Sequence, residues 1–402
     1  MKINYTLCSV VCLLLSVPLA VYVLQRGAGA VPAVRFATYN IACNRPAAGQ
    51  LLAELRGGKD DTARRLAEVV QRNEVDVLLL CELDWDAAGA ALATFADEYL
   101  AVAQNGQKPI SFPYRYVAPV NTGEPSGLDL DGDGKVGGPG DAYGFGQFPG
   151  QYGMALLSRY PILEDRVRTF RDVRWSAMPG ALRPEGLTDE VWNALRLSSK
   201  SHWDVPIGIG PVDGGMVVHV LASHPTPPVF DGPEDRNGCR NHDEIRFWVD
   251  YTTPGEDGWI VDDAGVAGGL AADARFVVMG DLNCDPADGD GRRDGLNRLL
   301  QLPQLQDPAP SSAGGVEQSQ KQWGVNAGHQ GDPARDTGDF PDQPGSGPGG
   351  GPGNLRLDFV LPSRQLRVLG SGVFWPPAYE PAAALVTASD HRLVWVDVAA
   401  SR

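Results

Sequence analysis

Seven short apolar runs, separated by loops rich in glycine and proline, constrain the fold of this chain more than any other feature. They are continuous, four to seven residues long and mostly β-branched, which is typical of strands covered on both faces. They lie at 34–39, 75–80, 154–157, 216–222, 276–279, 357–361 and 393–398. Helical periodicity appears between some of them, over 62–72, 243–251 and 295–300. This irregular alternation predicts an α/β protein built as a layered sandwich and argues against a regular parallel barrel.

The composition excludes several classes of protein. With 43% hydrophobic and 21% charged residues, the chain is an ordinary globular one and is neither disordered, fibrous nor a multi-span membrane protein. Its 49 glycines and 32 prolines among 402 residues require many turns, which argues against an all-helical protein. The net charge of −16 opposes the binding of polyanions by bulk charge, but it leaves room for a local cationic or metal-filled cleft.

The first 30 residues have the features of an export signal. An apolar stretch at 6–24 lies between Lys2 and Arg26 and is followed by small residues at 28–30, where cleavage before Val31 is expected. We therefore expect a secreted or periplasmic protein in which 31–402 form a single domain. The alternative is an uncut membrane anchor that leaves the catalytic domain outside, because the apolar stretch approaches the ~20 residues of a spanning helix.

Four cysteines follow this segment, namely Cys43, Cys81, Cys239 and Cys284. In an oxidising compartment they permit up to two disulfides, and their spacing does not choose among the three pairings. Cys81 and Cys284 lie in or beside apolar runs, where a buried free thiol is an equal alternative.

The segment 338–354 contains seven glycines and four prolines among 17 residues. This composition cannot pack a core and predicts a flexible surface loop. About fifty residues follow it and include two apolar runs, so the loop is interpreted as an excursion within one domain.

Polar side chains recur where the apolar runs end. A single Asp or Asn at such a place is usually a turn former, but several of them, with two of the six histidines, predict that the strand ends converge on one hydrolytic site. These residues are Asn40, Glu82, His224, Asp281, Asn283, Asp358, Asp390 and His391. Asn40, Glu82 and Asp390 offer oxygen ligands without sulfur, which predicts Mg²⁺ or Mn²⁺ and not zinc.

The order of these motifs resembles the endonuclease/exonuclease/phosphatase superfamily, over roughly 34–398. The resemblance is carried by Thr38-Tyr39-Asn40, Leu80-Cys81-Glu82, the stretch 151–159, Ser223-His224, Gly280-Asp281-Leu282-Asn283, the stretch 356–360 and Ser389-Asp390-His391. It implies a four-layered α/β sandwich, with two mixed β-sheets packed face to face and helices outside, and cleavage of phosphoester bonds.

The resemblance also implies roles for individual residues. Glu82, with Asn40 and Asp390 nearby, would hold the metal against a phosphate oxygen. Asp281 would orient or deprotonate the attacking water, and Asn283 would position that water or the phosphate.

Four further residues complete the implied site. His391, fixed by Asp358, would hydrogen-bond the phosphoryl group. His224 would protonate the leaving oxygen or stabilise the transition state, and Tyr152 would donate to the phosphate. Ala42 replaces the acidic residue of the abasic-site endonucleases, whereas His224 resembles the deoxyribonuclease and sphingomyelinase branches.

Two local patterns add candidate binding residues. Asp129, Asp131 and Asp133, followed by Gly134, resemble the start of a calcium loop, with Asp141 as the terminal acid one position late. They predict a structural Ca²⁺ site, and a solvated acidic turn is the alternative. A second set of side chains suits phosphate recognition at the rim of the cleft, with a solvated loop as the alternative. This set comprises Lys200, His202 and Arg236.

We therefore predict an exported, divalent-metal-dependent phosphodiesterase, with nucleic acid, DNA or RNA, as the leading substrate. The alternatives are hydrolysis of a phospholipid, as in sphingomyelinases, and hydrolysis of a small phosphomonoester such as an inositol phosphate. A binding protein without turnover is disfavoured because every motif is intact. Specificity is expected to depend on loops at 105–150 and 183–215.

Overall fold

A computed structural model of the chain describes residues 33–210, 215–344 and 350–400, and the expected export signal at 1–30 lies outside them. The strands within these residues are β1 Ala33–Cys43, β2 Val77–Leu83, β3 Tyr114–Tyr116, β4 Met154–Ser158, β5 Arg168–Thr169, β6 His202–Ile209, β7 Met216–Ser223, β8 Arg275–Asp281, β9 Gly338–Asp339, β10 Asn354–Leu355, β11 Asp358–Pro362, β12 Val368–Val373 and β13 Val394–Ala399. The α-helices are α1 Gln50–Leu55, α2 Asp61–Arg72, α3 Ala90–Phe95, α4 Asp189–Ala194, α5 Arg236–Thr252, α6 Arg293–Leu300 and α7 Ala313–Gln322.

Eleven of these strands form two mixed sheets. The first has the order β12-β13-β1-β2-β4-β3, with β1 and β2 parallel and the other neighbours antiparallel. The second has the order β11-β8-β7-β6-β5, with β7 and β8 parallel. The two parallel pairs are central, so their carboxyl ends lie at one edge of each sheet.

Alternate residues of each sheet face different cores. Val77 and Leu79 of β2 pack in a central core with Val218 and Val220 of β7, whereas the intervening Leu78 packs on the opposite face of the first sheet. That outer face is covered by helices α1 to α3, and the outer face of the second sheet is covered by α5 and α6. This arrangement of helices, sheet, sheet and helices confirms the predicted four-layered α/β sandwich.

The predicted helices are present, with bounds that depend on their caps and buried faces. Helix α2 begins after Asp60, whose carboxylate accepts a hydrogen bond from Ala63 N at 2.7 Å, and it places Leu66 and Val70 in the core. Helix α5 begins seven residues before the predicted start at 243. Its first turns bury polar side chains such as Arg240 and Asn241, which hide the apolar periodicity.

The expectation that 183–215 is a loop is wrong for two parts of it, which form helix α4 and strand β6. Strand β6 pairs with β7 along its whole length, from His202 opposite Ser223 to Ile209 opposite Met216. Pro206 interrupts the sequence pattern, yet it is tolerated because the regular pairing with β5 ends at Asp204. Only an isolated bridge between Ile162 and Ile207 continues beyond it, in which the Pro206 carbonyl accepts a hydrogen bond from Leu163 N at 2.9 Å.

The two ends of the glycine- and proline-rich segment pair with each other. Within its described part, β9 pairs with β10, and Gly338 also bridges to His391. The expected surface loop therefore begins and ends in a small sheet beside the polar residues of the last motif.

All four cysteines of the described residues are buried free thiols. The disulfides permitted by their even number are therefore not formed. Among the described residues, no helix is both long and apolar enough to span a membrane.

Candidate active site

The polar residues at the strand ends meet at one end of the two sheets. Asn40 and Glu82 lie near the carboxyl ends of the parallel strands β1 and β2, and Asp281 ends β8. Strand β11 runs antiparallel to β8, so its first residue, Asp358, lies directly opposite Asp281. His224 follows β7, the parallel neighbour of β8.

Asp281 is the centre of this cluster. Its Oδ2 atom accepts a hydrogen bond from Asn40 Nδ2 at 3.0 Å and lies 3.5 Å from Nε2 of His224 and 3.6 Å from Nε2 of His391. Its other oxygen accepts from the backbone N–H of Asn283 at 2.9 Å. Each of the two imidazoles therefore directs one nitrogen towards the same carboxylate oxygen.

Burial sets the electrostatics of Asp281. The side chain is 1% exposed, and burial together with the charge of Asp358 raises its pKa to about 6, although the nearby His391 acts in the opposite direction. Burial and the positive charges of Lys200 and His391 hold the pKa of His224 well below its usual range. His224 is therefore neutral at pH 7, and its Nδ1 atom is buried without a partner among the described residues.

His391 is held by a second buried carboxylate. Its Nδ1 atom donates to Asp358 Oδ2 at 2.8 Å, and this oxygen also accepts from the Thr337 hydroxyl at 2.8 Å. Burial lowers the pKa of His391, but the charges of Asp358 and Asp281 outweigh it and raise the pKa to about 10. The hydroxyl of Ser389 accepts a hydrogen bond from the His391 backbone N–H at 3.0 Å, which also holds the backbone of this residue in place.

Thr337 was missed by sequence reasoning. Its hydroxyl donates to Asp358 and accepts from the backbone N–H groups of Leu357 and Asp358, both at 3.0 Å. It precedes the glycine-rich segment and carries no motif, so only the pairing of β9 with β10 reveals its position.

Glu82 and Asn40 occupy the other side of Asp281. Glu82 is half-buried, and its carboxylate accepts from Asn40 Nδ2 at 3.1 Å and from Asn44 Nδ2 at 2.8 Å. Its backbone has a φ of 60°, a left-handed conformation that few non-glycine residues adopt. Burial raises the pKa of Glu82, and the charges of Asp281 and Asp390 raise it further.

The donor set fits a hard divalent cation. Glu82 and Asp281 are neighbouring acids whose pKa values are raised by burial, and a divalent cation would stabilise the ionised form of both. Asp281, Asp358 and His391 also bring their ligand atoms within 4.8 Å of one another. Asn40 directs its amide nitrogen at the carboxylates and its oxygen at Ala42 N, so it offers an oxygen ligand only after its amide turns over. Asp390 is exposed, and its negative charge contributes to the raised pKa of Glu82.

Tyr152 and Asn283 flank the cluster in strained conformations. Both have positive φ angles, 57° and 51°. The backbone N–H of Tyr152 donates to Asp84 at 3.2 Å, and burial together with the charges of Glu82 and Asp84 raises the pKa of its hydroxyl. Asn283 donates its amide to the carbonyl of Pro225 at 3.0 Å, which ties it to the segment that follows His224.

The three expected rim residues occupy different places. Lys200 is 5% exposed and so does not lie at a rim, and its charge interacts with those of Glu244, Glu82 and Asp281. His202 is 1% exposed and packs against Phe247 at 4.5 Å between ring centroids, which corrects the expectation that it binds substrate.

Arg236 also differs from expectation. It donates to the carbonyl of Leu130 at 2.6 Å and is engaged with the acidic loop instead of the cleft. Within that loop, Asp129, Asp131 and Asp133 bring carboxylate oxygens within 4.8 Å of one another. Asp141 does not join them, because its carboxylate accepts from backbone N–H groups of Leu130 and Gly137. The calcium site stays a prediction.

The fold and the cluster define an α/β protein with a site of paired carboxylates and imidazoles suited to hydrolysis. The model of the Endonuclease/Exonuclease/phosphatase family matches residues 37–391, and the chain belongs to this family. Its members are phosphoester hydrolases, which supports a hydrolase here. This membership confirms the resemblance carried by the motifs.

Solved structures similar to the chain include three from bacteria. An endonuclease/exonuclease/phosphatase from Beutenbergia cavernae has a TM-score of 0.47 at 17% identity, covering 92% of this chain and 72% of its own. Sphingomyelinase C from Streptomyces griseocarneus has a TM-score of 0.42 at 17% identity, covering 91% of this chain and 99% of its own. A mannosyl-6-phosphatase from Bacteroides thetaiotaomicron has a TM-score of 0.43 at 12% identity, with the same two coverages. Comparison with curated proteins finds no match.

Proposed function

We propose that the protein is an exported, divalent-metal-dependent phosphodiesterase that cleaves DNA or RNA. The observation that carries the proposal is the position of Asp281. Its Oδ2 atom lies 3.5 Å from Nε2 of His224 and 3.6 Å from Nε2 of His391. The side-chain amide of Asn40 donates both to this oxygen and to Glu82, the second carboxylate of the cluster.

Glu82 would hold the metal, which is Mg²⁺ or Mn²⁺, together with Asp390 and the amide oxygen of Asn40. When bound, such an ion neutralises charge on the phosphoryl oxygens and acts as a Lewis acid. The oxygen-only character of these side chains supports a hard cation.

Asp281 would orient the attacking water and accept its proton. A carboxylate with a pKa raised to about 6 is mostly ionised at neutral pH and is a stronger base than an exposed aspartate. Asn283 and Tyr152 would position the water or the phosphate. His391, charged and held by Asp358, would donate a hydrogen bond to the phosphoryl group.

His224 and Lys200 would act on the leaving side of the phosphate. The depressed pKa of His224 favours hydrogen-bond donation from a neutral ring over delivery of a proton. Lys200 supplies a positive charge beside it, which suits an oxygen that becomes anionic as the bond breaks.

Exposed aromatic side chains support nucleic acid as the substrate. Phe230, six residues after His224, is 92% exposed, and Phe145, seven residues before Tyr152, is 59% exposed. Both rings are close in sequence to residues assigned to the site, and exposed planar rings offer stacking surfaces to bases. Local contacts of this kind, and not bulk charge, would hold the strand, because the net charge is −16.

The test is a substrate panel with the exported protein in Mg²⁺ or Mn²⁺. The panel contains plasmid DNA, RNA, sphingomyelin, bis-nitrophenyl phosphate and nitrophenyl phosphate. We expect hydrolysis of DNA or RNA and of the diester, and little of the monoester. Hydrolysis of sphingomyelin or of the monoester alone would replace the nuclease proposal with the phospholipid or phosphomonoester alternative.

A further inference from the structure

Helix α5 carries a fully buried carboxylate that contacts two loops of the candidate site. Glu244 is 0% exposed. Its Oε1 atom accepts from the backbone N–H of Ser199 at 2.6 Å and from the Ser199 hydroxyl at 3.1 Å. Its Oε2 atom accepts from the backbone N–H of Thr226 at 2.6 Å. One carboxylate therefore binds two segments of chain that are 27 residues apart.

These two segments carry the two residues assigned to the leaving side of the phosphate. Ser199 immediately precedes Lys200, and Thr226 is two residues after His224. The segments enter and leave the paired strands β6 and β7, where His202 lies opposite Ser223. The carbonyl of Glu244 also accepts a hydrogen bond from His202 Nε2 at 2.8 Å, which adds a third contact at the start of β6.

Charge adds to this geometry. Burial lowers the pKa of Lys200, and the carboxylate of Glu244 is the strongest of the charges that counteract this effect. Lys200 in turn acts on His224, whose pKa it lowers. Glu244 thus both fixes the backbone on each side of this pair and compensates the charge of the ammonium.

We propose that Glu244 is a positioning residue that fixes Lys200 relative to His224, so that both side chains reach the same phosphoryl group. This inference rests on the proposed function, because it assumes that Lys200 and His224 contact the substrate. Glu244 itself lies behind the loops and makes no contact with substrate.

The same helix offers a matched control. Asp250 is also buried, at 3% exposure, and its carboxylate accepts from Trp259 Nε1 at 3.1 Å and Arg246 Nη2 at 3.3 Å. None of these partners belongs to the candidate site. Asp250→Asn and Glu244→Gln therefore make the same chemical change on one helix, with and without a contact to the catalytic loops.

The experiment compares turnover and phosphate binding in the full chain. Glu244→Gln keeps the volume of the side chain but loses its charge and turns an N–H₂ group towards a backbone N–H. We expect kcat on bis-nitrophenyl phosphate to fall about 10²-fold, as for a misplaced catalytic group, with little change for Asp250→Asn. We also expect weaker binding of inorganic phosphate to the Mg²⁺-loaded protein, measured by calorimetry.

A double-mutant cycle separates positioning from general destabilisation. If Glu244 acts through Lys200, Lys200→Met/Glu244→Gln should be no more than about twofold slower than Lys200→Met alone. Losses that multiply, or wild-type turnover and phosphate binding in Glu244→Gln, would overturn the inference. Ser199→Ala, which removes only the 3.1 Å contact, should reduce kcat in the same direction by a smaller factor and serves if Glu244→Gln does not fold.

The two proposals fail in different ways. If the wild-type protein hydrolyses no phosphoester, the proposed function fails, and the positioning role is then decided by phosphate affinity alone. Weaker phosphate binding in Glu244→Gln than in Asp250→Asn would still support it, and equal binding in the two variants would reject it.

Discussion

Asp281 and Asp358 are paired residues on the antiparallel strands β8 and β11, and the imidazole of His391 lies between their carboxylates. Two acids directly opposite each other on one face of a sheet repel, which is destabilising unless a cation separates them. His391 supplies that charge, through a 2.8 Å hydrogen bond to Asp358 and a 3.6 Å approach to Asp281. The site is therefore organised around one histidine shared by two strands.

Activity should depend on a divalent cation. Burial raises the pKa values of Glu82 and Asp281, and a bound divalent cation would stabilise the ionised form of both carboxylates. Chelation with EDTA should abolish hydrolysis, and Mg²⁺ or Mn²⁺ should restore it. Glu82→Gln should shift the metal dependence of the rate to higher concentration in a Mg²⁺ titration. Full turnover in excess EDTA would contradict this prediction.

Asp281→Asn should lower kcat by about 10²- to 10⁴-fold, the usual loss for a general base. Substrate binding should change little, because the amide keeps the size of the carboxylate. The measurement is steady-state kinetics on the best substrate of the panel. Asp273→Asn is the control and should behave like the wild type, because this exposed acid precedes the first residue of β8 whereas Asp281 is the last.

Thr337→Val should reduce both activity and stability. The change removes the hydroxyl that donates to Asp358 and leaves two backbone N–H groups without their acceptor. We expect a fall in kcat of about 10- to 100-fold, typical of a group that orients a catalytic residue, and a loss of about 1–3 kcal/mol in the free energy of unfolding. Thr337→Ser keeps the hydroxyl and should recover most of both. If Thr337→Val has the same kcat as Thr337→Ser, Thr337 does not orient His391.

His202 should make the folded state sensitive to acid. Burial lowers its pKa to about 4, below the value near 6.5 of an exposed histidine. The unfolded chain binds the proton more readily than the folded one. The neutral, buried imidazole of His202 therefore contributes fully to the free energy of unfolding above pH 6.5, and this contribution is lost as the pH falls towards 4. It amounts to about 3 kcal/mol.

The measurement for His202 is urea unfolding at pH 7 and pH 4.5. His202→Gln keeps a donor for the carbonyl of Glu244 but cannot titrate, so it should lose less stability between the two values than the wild type. Equal losses would mean that His202 does not contribute to the acid sensitivity.

Export predicts a shortened amino terminus. If residues 1–30 are a cleaved signal, mass spectrometry of the natively exported protein should find Val31, or a residue within two positions of it, at the start of the chain. A membrane-bound chain beginning at Met1 would instead establish the anchor.

The residues that follow apolar runs were predictable because a strand ends where its buried pattern ends. Asn40, Glu82 and Asp281 all lie at such positions, and parallel neighbours bring them to one edge. Thr337 and Glu244 could not be found in this way. Thr337 gains its role from a two-residue strand pairing, and Glu244 from the first half of a helix where several polar side chains are buried among the apolar ones.

His202 was misplaced for a related reason. Its strand contains Pro206 and Gly208, which hide the alternation of strand residues, so the segment was interpreted as a loop at the cleft. Strand β6 is an inner strand of the second sheet, and His202 at its start is buried, whereas Lys200, two residues earlier, interacts by charge with Glu82 and Asp281.

The pairing of β1 with β13 has a practical consequence for handling the protein. Ala33 lies opposite Ala399, so the two ends of the described domain are neighbours. Seven residues of extended chain separate Ala33 from Asn40, a distance of about 23 Å. A tag, a bead or a solid support attached at either end would therefore lie on the side of the sheet away from Asn40, and an immobilised enzyme would keep its cleft open to large substrates.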